Sequence, residues 1–356
     1  MITDIHLQQF RSYKDDSFEF SKGVNIIVGP NASGKTNLLE AILVVARGAS
    51  YRAKDSELIE FGKTWARAEA HTLTNDIRAV QLTHEADHTQ KQYKINGQTF
   101  QRMNLTKSLP VIVFEPNHLQ LLSGSPELRR QFLDDLLEQT TPSFSSARRQ
   151  YKRALAQRNT LLKRGYRLGH AQIFAWDVRL SGLGEQIAQA RIGLIGDMNK
   201  KVESLYRKLS KTKSSIRLNY RTSFSGDSYA SGLLHKLEVH QAEDFERGFT
   251  AYGPHREDLE VFLDNHLAQE IASRGEARTL LLVLKILEAE IIEQAREVRP
   301  ILLLDDVFSE LDGARRQALT KFLQPYQTFI TTTDADVVLQ HFTESANIIP
   351  VQEFKG

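Results

Sequence analysis

The chain has 356 residues, enough for one large domain or two to three ordinary ones. With 41% hydrophobic and 25% charged residues, no cysteine and no long apolar run, it excludes wholesale disorder, a membrane span, disulfides, thiolate metal sites and cysteine nucleophiles. The net charge of +2 hides an asymmetry: residues 121–220 hold 19 Lys and Arg against 8 Asp and Glu, a local +11, while the remainder carries −9.

In chain order, residues 3–10 and 24–28 have the alternation or apolar density of strands, and 35–46 has helical spacing. The start of the chain shows no basic segment followed by an apolar one, so a cytoplasmic protein is expected. Residues 65–73, 77–84 and 92–95 read as antiparallel strands, with Asn96-Gly97 as a hairpin turn, and 109–114 as a short buried strand. Segments 125–139, 144–165 and 171–209 carry apolar residues at helical spacing with charges between them. Mixed α/β texture returns near Thr250 and ends with apolar strands at 301–304 and 328–332. The expected architecture is α/β: a discontinuous domain, 1–118 with 246–356, holding a mixed sheet plus antiparallel strands, and a mainly helical insertion at 119–245. The basic charge falls in the insertion, which fits a polyanion partner or a solvated helical surface.

The most specific local pattern is Gly29-Pro30-Asn31-Ala32-Ser33-Gly34-Lys35-Thr36, with a β-branched strand before it and a helix starting near Asn37 after it. This is the Walker A phosphate loop in its required context. Glycines let backbone N–H groups wrap phosphate oxygens, and the following helix points its positive end at the same anion. Lys35 supplies a point charge for the β/γ-phosphates of ATP, and the Thr36 hydroxyl reaches Mg2+. The loop needs an acidic partner at the end of a neighbouring strand. Ile301-Leu302-Leu303-Leu304-Asp305-Asp306 provides it: Asp305 for Mg2+, and Asp306 to orient or deprotonate the attacking water. A glutamate is more usual at the second position, and the shorter Asp306 predicts slow hydrolysis.

Lys35 and Asp305 are 270 residues apart. A gap of that size filled by an insertion resembles the layout of ATP-binding-cassette ATPases. That class implies a Ser-x-Gly helix start before the acidic strand, and Ser273-Arg274-Gly275-Glu276 supplies it ahead of a helix at 279–297. Read alone, Ser273 is equally a plain helix cap. In that class the loop meets the γ-phosphate bound by a second copy, so two ATP molecules are sandwiched in a two-fold dimer. Ser309-Glu310-Leu311-Asp312 resembles the D-loop of the same class. Thr333-Asp334 stands where many members have a switch histidine, and Glu115 or Gln120 only loosely matches the glutamine loop.

Together these motifs resemble the RecF family of bacterial recombination-mediator ATPases over the whole chain. Leu7-x-x-Phe10-Arg11-x-Tyr13, the phosphate loop, Ser273-x-Gly275-Glu276 and the run Leu302–Asp312 carry the resemblance. So do two motifs outside the general ATPase set, Gly124-x-Pro126-Glu127-x-Arg129-Arg130-x-Phe132-Leu133-Asp134 and Tyr252-Gly253-Pro254-His255-Arg256-x-Asp258. The resemblance implies a head like those of chromosome-maintenance ATPases without a long coiled coil. It also implies an ATP-dependent homodimer that clamps DNA at gaps, and work with RecO and RecR to load RecA in repair, replication restart and the SOS response. Candidate DNA contacts are Arg52, Lys54, Arg129, Arg130, Arg148, Arg149, Lys152 and Arg153; for Arg129 and Arg130 an ion pair is an equal reading. The alternatives are a transporter's ATPase subunit, which would dock on a membrane partner, and a small-molecule kinase, which leaves Ser273-x-Gly275 without a purpose.

Overall fold

The computed structural model describes all residues except 86–87, 225–228, 335–337, 341, 343–345 and 353–356, and all side chains of the others except 116, 119, 166–171 and 309. The first third holds β1 (Ile2–Phe10), β2 (Tyr13–Glu19), β3 (Val24–Val28), α1 (Lys35–Arg47), β4 (Trp65–Thr72), β5 (Ile77–Glu85), β6 (His88–Ile95), β7 (Gln98–Phe100) and β8 (Val111–Phe114). The middle holds α2 (Pro126–Thr140), α3 (Phe144–Lys163), α4 (Tyr166–Asn199), α5 (Val202–Ser210), β9 (Ile216–Arg221), α6 (Tyr229–Val239) and α7 (Gln241–Arg247). Then follow β10 (Asp258–Leu263), β11 (His266–Leu267), α8 (Ala268–Ile271), α9 (Arg274–Arg296), β12 (Ile301–Leu304), α10 (Gly313–Leu323), β13 (Thr328–Thr332) and β14 (Asn347–Pro350). Among the described residues, no helix is long and apolar enough to cross a membrane.

Two compact units emerge, Met1–Leu119 with Glu288–Gly356, and Gln120–Leu287. The first boundary lies next to the expected one, but the second lies at 288 rather than 246. The reason is strand pairing: β10 pairs along its whole length with β9, from Asp258↔Arg221 to Leu263↔Ile216. The segment expected to rejoin the ATPase domain is thus tied to the insertion, which gains a small sheet, β11-β10-β9.

The first unit has the expected α/β architecture, with its antiparallel and parallel strands in two separate sheets. One is antiparallel, in the order β2-β1-β4-β5-β6-β7; the other is parallel, in the order β14-β3-β13-β12-β8. Helix α1 fills the core between them. Every residue from Leu38 to Ala46 is buried, in one cluster with Ile5, Leu7 and Phe10 of β1, Val80 and Leu82 of β5, and Ile27, Leu303 and Phe329 of the parallel sheet. A helix apolar on all sides belongs in such a place. Beyond Lys35 at its start, its buried charge is Glu40, which is fully covered and receives Arg11 Nε at 2.8 Å and the Ser50 hydroxyl.

Candidate nucleotide and nucleic-acid sites

The parallel strands deliver the phosphate site at their C-terminal ends. After β3 the chain turns through Ala32 (φ 63°) and Gly34 (φ 98°) before entering α1, so successive N–H groups face inward. Gly29 cannot be replaced without movement: an added Cβ would lie 2.3 Å from the Val351 carbonyl oxygen and 2.6 Å from Ser33 Oγ. Lys35 Nζ donates to the Gly29 and Pro30 carbonyls at 2.9 and 2.8 Å, so the cation folds back over its own loop. Ser33 Oγ is buried and has no hydrogen-bond partner among the described residues.

The acidic strand is not adjacent to β3, because β13 lies between them. The two ends still meet. Thr36 Oγ1 donates to Asp305 Oδ1 at 2.9 Å, Thr331 Oγ1 of β13 donates to the same oxygen at 2.8 Å, and Tyr51 Oη donates to Asp305 Oδ2 at 3.3 Å. Asp306 takes a left-handed conformation (φ 51°), and its N–H donates to Thr331 Oγ1 at 2.9 Å. Burial, and after it the Asp305 charge, push the Asp306 carboxyl above the ordinary carboxylate range, with Lys35 opposing. Burial and then Asp305 likewise raise the Tyr51 phenol. Tyr51 and Thr331 were not singled out from sequence: a hydroxyl near a motif carries no spacing signal of its own.

Beside the loop opens a cleft of about 520 Å3 lined by Arg11, Ser12, Asn37, Phe61, Lys63 and His84, among others. Asn37 is tied to Ser12 Oγ at 2.9 Å and to Arg52 Nη2 at 3.1 Å. Arg52 also stands 3.7 Å from Glu40 and 5.7 Å from the centre of the Tyr51 ring. It thus braces Asn37 and Glu40 beside the phosphate loop while remaining exposed. Lys54 is exposed. Thr333-Asp334 forms a tight turn in which the Asp334 N–H donates to Thr332 Oγ1 at 3.1 Å, and the side chain of Ser309 lies outside the described residues.

In the second unit Ser273 is exposed at the start of α9. Its hydroxyl and N–H both donate to Glu276 Oε2, at 2.7 and 2.9 Å, and its Oγ accepts from the Glu276 N–H at 3.3 Å. This is a reciprocal capping box. Arg274 is exposed beside it, and Gly275 lies in the first turn.

The family-specific motifs build the core of this unit. Arg129 is buried and grips Asp258 with two bonds, Nε at 2.9 Å and Nη2 at 2.7 Å, while Nη1 donates to the Gly124 and Leu122 carbonyls at 2.9 and 3.2 Å. Arg130 donates to the Glu257 carbonyl at 2.8 Å. Arg191 of α4 joins Asp134, Tyr220 and the Pro254 carbonyl. Gly253 (φ 125°) passes so close to Tyr151 that a Cβ would lie 2.6 Å from its hydroxyl. Tyr151 in turn bonds His255 Nδ1 at 2.7 Å; burial holds His255 down at about 4. Arg129 is thus buried and engaged in the core of its own unit, while Arg130 is partly exposed and holds the Glu257 carbonyl.

Helix α3 carries six Lys and Arg and no Asp or Glu, and the structure divides them. Arg158 is buried against Asp177 and Asp244 at 2.5 and 2.6 Å. Arg148 pairs with Asp134 and Glu138 at 3.0 and 2.7 Å. Arg149, Lys152 and Arg153 are exposed, with no ion pair or hydrogen bond among the described residues, and line one shallow cleft with Ser145 and Ala156.

A phosphate loop, a carboxylate at the end of a parallel strand, a backing antiparallel sheet and a serine-headed helix define a P-loop ATPase head of the ATP-binding-cassette type. Residues 1–353 match the family model described as RecF/RecN/SMC N terminal domain. The chain is 37% identical to the DNA replication and repair protein RecF of Heliobacterium modesticaldum, covering 93% of this chain and 92% of that one. It is 34% identical to RecF of Moorella thermoacetica, over 95% and 91%. The structure of the recombination mediator protein RecF-ATPrS in the RecFOR pathway superposes with a TM-score of 0.88 at 27% identity, over 99% of this chain and 98% of that one. An Smc head bound to the C-winged helix domain of ScpA shares the fold, at 18% identity and TM-score 0.56, over 96% and 91%. This chain belongs to the RecF family.

Proposed function

We propose that this chain is an ATP-dependent DNA-binding switch of DNA replication and repair. The observation that carries the reading is the 2.9 Å contact between Thr36 and Asp305 beneath a phosphate loop whose lysine lies over its own cradle. Phosphate would take Lys35 Nζ from the two carbonyls it now serves, and Ser33 Oγ is already desolvated beside it. Thr36 and Asp305 are the oxygen donors a hard cation prefers, so they would hold Mg2+, which supplies charge neutralisation on the phosphates when bound. Asp306 orients or deprotonates water, and its raised pKa strengthens it as a base. Its short side chain suits slow turnover, which is the behaviour of a switch rather than a metabolic enzyme.

The exposed Ser273 helix start would meet a phosphate presented by a second copy once its hydroxyl and N–H leave Glu276, which gives an isologous ATP-dependent dimer. The DNA-facing charge is Arg149, Lys152 and Arg153 on α3, which meets phosphates rather than bases. Solved RecF relatives are described with ATP and within the RecFOR pathway. By that likeness the partners are RecO and RecR, and the action is loading of RecA at gapped DNA, with replication restart and SOS induction following, in the cytoplasm.

The test is light scattering with ADP, with ATP, and with ATP plus gapped duplex, together with DNA affinity measured against salt. A dimer with ATP alone among the nucleotides, and DNA binding enhanced by ATP, are expected. Changing Arg149, Lys152 and Arg153 together to Ala should flatten the log–log salt slope by about 2–3, at roughly 0.9 per phosphate contact. An unchanged slope removes α3 from the interface, and DNA binding indifferent to nucleotide removes the switch.

A further inference from the structure

We propose that Thr331 is a positioning residue that sets both Walker B carboxylates with one hydroxyl. The inference rests on the nucleotide-site reading above, and its basis is the geometry of β13 between the two motif strands. Strand β12 pairs with β13 in parallel register, Leu302↔Thr328 to Leu304↔Ile330, and the Leu302 N–H donates to the Gln327 carbonyl. By the two-residue step of a parallel ladder, the Asp306 N–H is due to meet residue 331. The chain leaves the sheet there, in the left-handed turn at Asp306, and the N–H finds the Thr331 hydroxyl at 2.9 Å. That conformation is costly for a residue with a Cβ and persists only where the surroundings hold it.

The same hydroxyl has one proton to give. Its options are Asp305 Oδ1 at 2.8 Å and the Leu304 carbonyl at 3.5 Å, and distance and charge both select the carboxylate. Thr331 thus accepts from the backbone of Asp306 and donates to the side chain of Asp305. It is fully buried, so water cannot substitute. Asp305 Oδ1 is also bonded by Thr36. When the Thr36 oxygen turns to a cation, Thr331 and Tyr51 are the groups that keep the carboxylate aimed.

Thr331→Val keeps the shape and removes the hydroxyl; Thr331→Ser keeps the hydroxyl and removes the methyl. In Thr331→Val the MgCl2 concentration for half-maximal binding of a fluorescent ATP analogue should rise roughly tenfold, the usual penalty for losing an outer partner of a metal ligand. The kcat for ATP should fall about 10–100-fold with little change in KM, as expected for a misplaced reacting group. Thr331→Ser should restore both to within about threefold of the wild type, because the hydroxyl carries the effect. If Thr331→Val does not fold, Thr331→Ala carries the same comparison. Wild-type Mg2+ dependence and kcat in the hydroxyl-free variant, or a serine variant as impaired as the valine one, overturn the proposal. A wild-type chain that binds no nucleotide instead overturns the function itself. If it binds without hydrolysing, the Mg2+ titration still reads the Asp305 arm.

Discussion

Arg129→Met separates a structural arginine from a DNA contact. The guanidinium makes two bonds to Asp258, and both side chains are only 6% exposed. Removing one partner of a buried pair costs about 3–5 kcal/mol, mostly because the other charge stays desolvated. The Gly124 and Leu122 carbonyls lose a donor each, at about 1 kcal/mol apiece. Arg221 stands 3.8 Å from Asp258 and is 59% exposed, so it recovers part of the loss. Methionine keeps the apolar stem in place. The expected net loss is about 4 kcal/mol, or roughly 1.5 M in urea midpoint for a slope near 2–3 kcal/mol/M. Of the two tryptophans, Trp176 lies in the second unit and Trp65 in the first, so urea unfolding followed by fluorescence in a Trp65→Phe background reports on the right unit. The salt slope of DNA binding by the folded variant should match the wild type. Replacing Asp258 by Leu as well should recover much of the stability, since no orphaned carboxylate remains. Wild-type stability combined with a salt slope reduced by about one would refute the reasoning.

Ser273→Arg should leave nucleotide binding by a single chain intact and abolish ATP-dependent dimerisation in light scattering. Gly29→Ala should weaken ATP-analogue binding at least tenfold and lower the thermal midpoint, because overpacking against a backbone carbonyl costs about 1–3 kcal/mol. His255 has a depressed folded pKa, so its contribution is present above about pH 6.5 and is lost as pH falls towards about 4. The shift corresponds to about 3 kcal/mol, and the stability gap between wild type and His255→Asn should close over that window in urea titrations at stepped pH. A gap independent of pH means His255 is not buried neutral.

The residues of the nucleotide site are legible because a phosphate loop is local: strand, turn and helix are written in consecutive residues, and β3, β12 and β13 fall where the apolar runs place them. Charge fate is not local. Arg129 and Arg149 look alike in sequence, yet one meets Asp258 across 129 residues and the other meets water. Strand β9 alternates apolar and polar residues as a half-buried strand should, but it is six residues long amid helices, so the pairing that moves the unit boundary was hidden with it. Thr331 and Tyr51 matter only because β13 and the segment after α1 arrive beside Asp305, which no spacing rule announces.

The order of the parallel sheet has a consequence for synthesis on the ribosome. Strand β3 is flanked by β13 and β14, which lie about 300 residues downstream, and the Val351 carbonyl packs against Gly29. At about 5–20 residues per second, the phosphate loop therefore waits roughly 15–60 s for its neighbours. During that interval α1 can pack on the antiparallel sheet, whose strands end at Phe100, but its other face lacks β12, β13 and β14. The phosphate loop of the nascent chain therefore lacks both strands that flank β3 until residues 328–350 have been made.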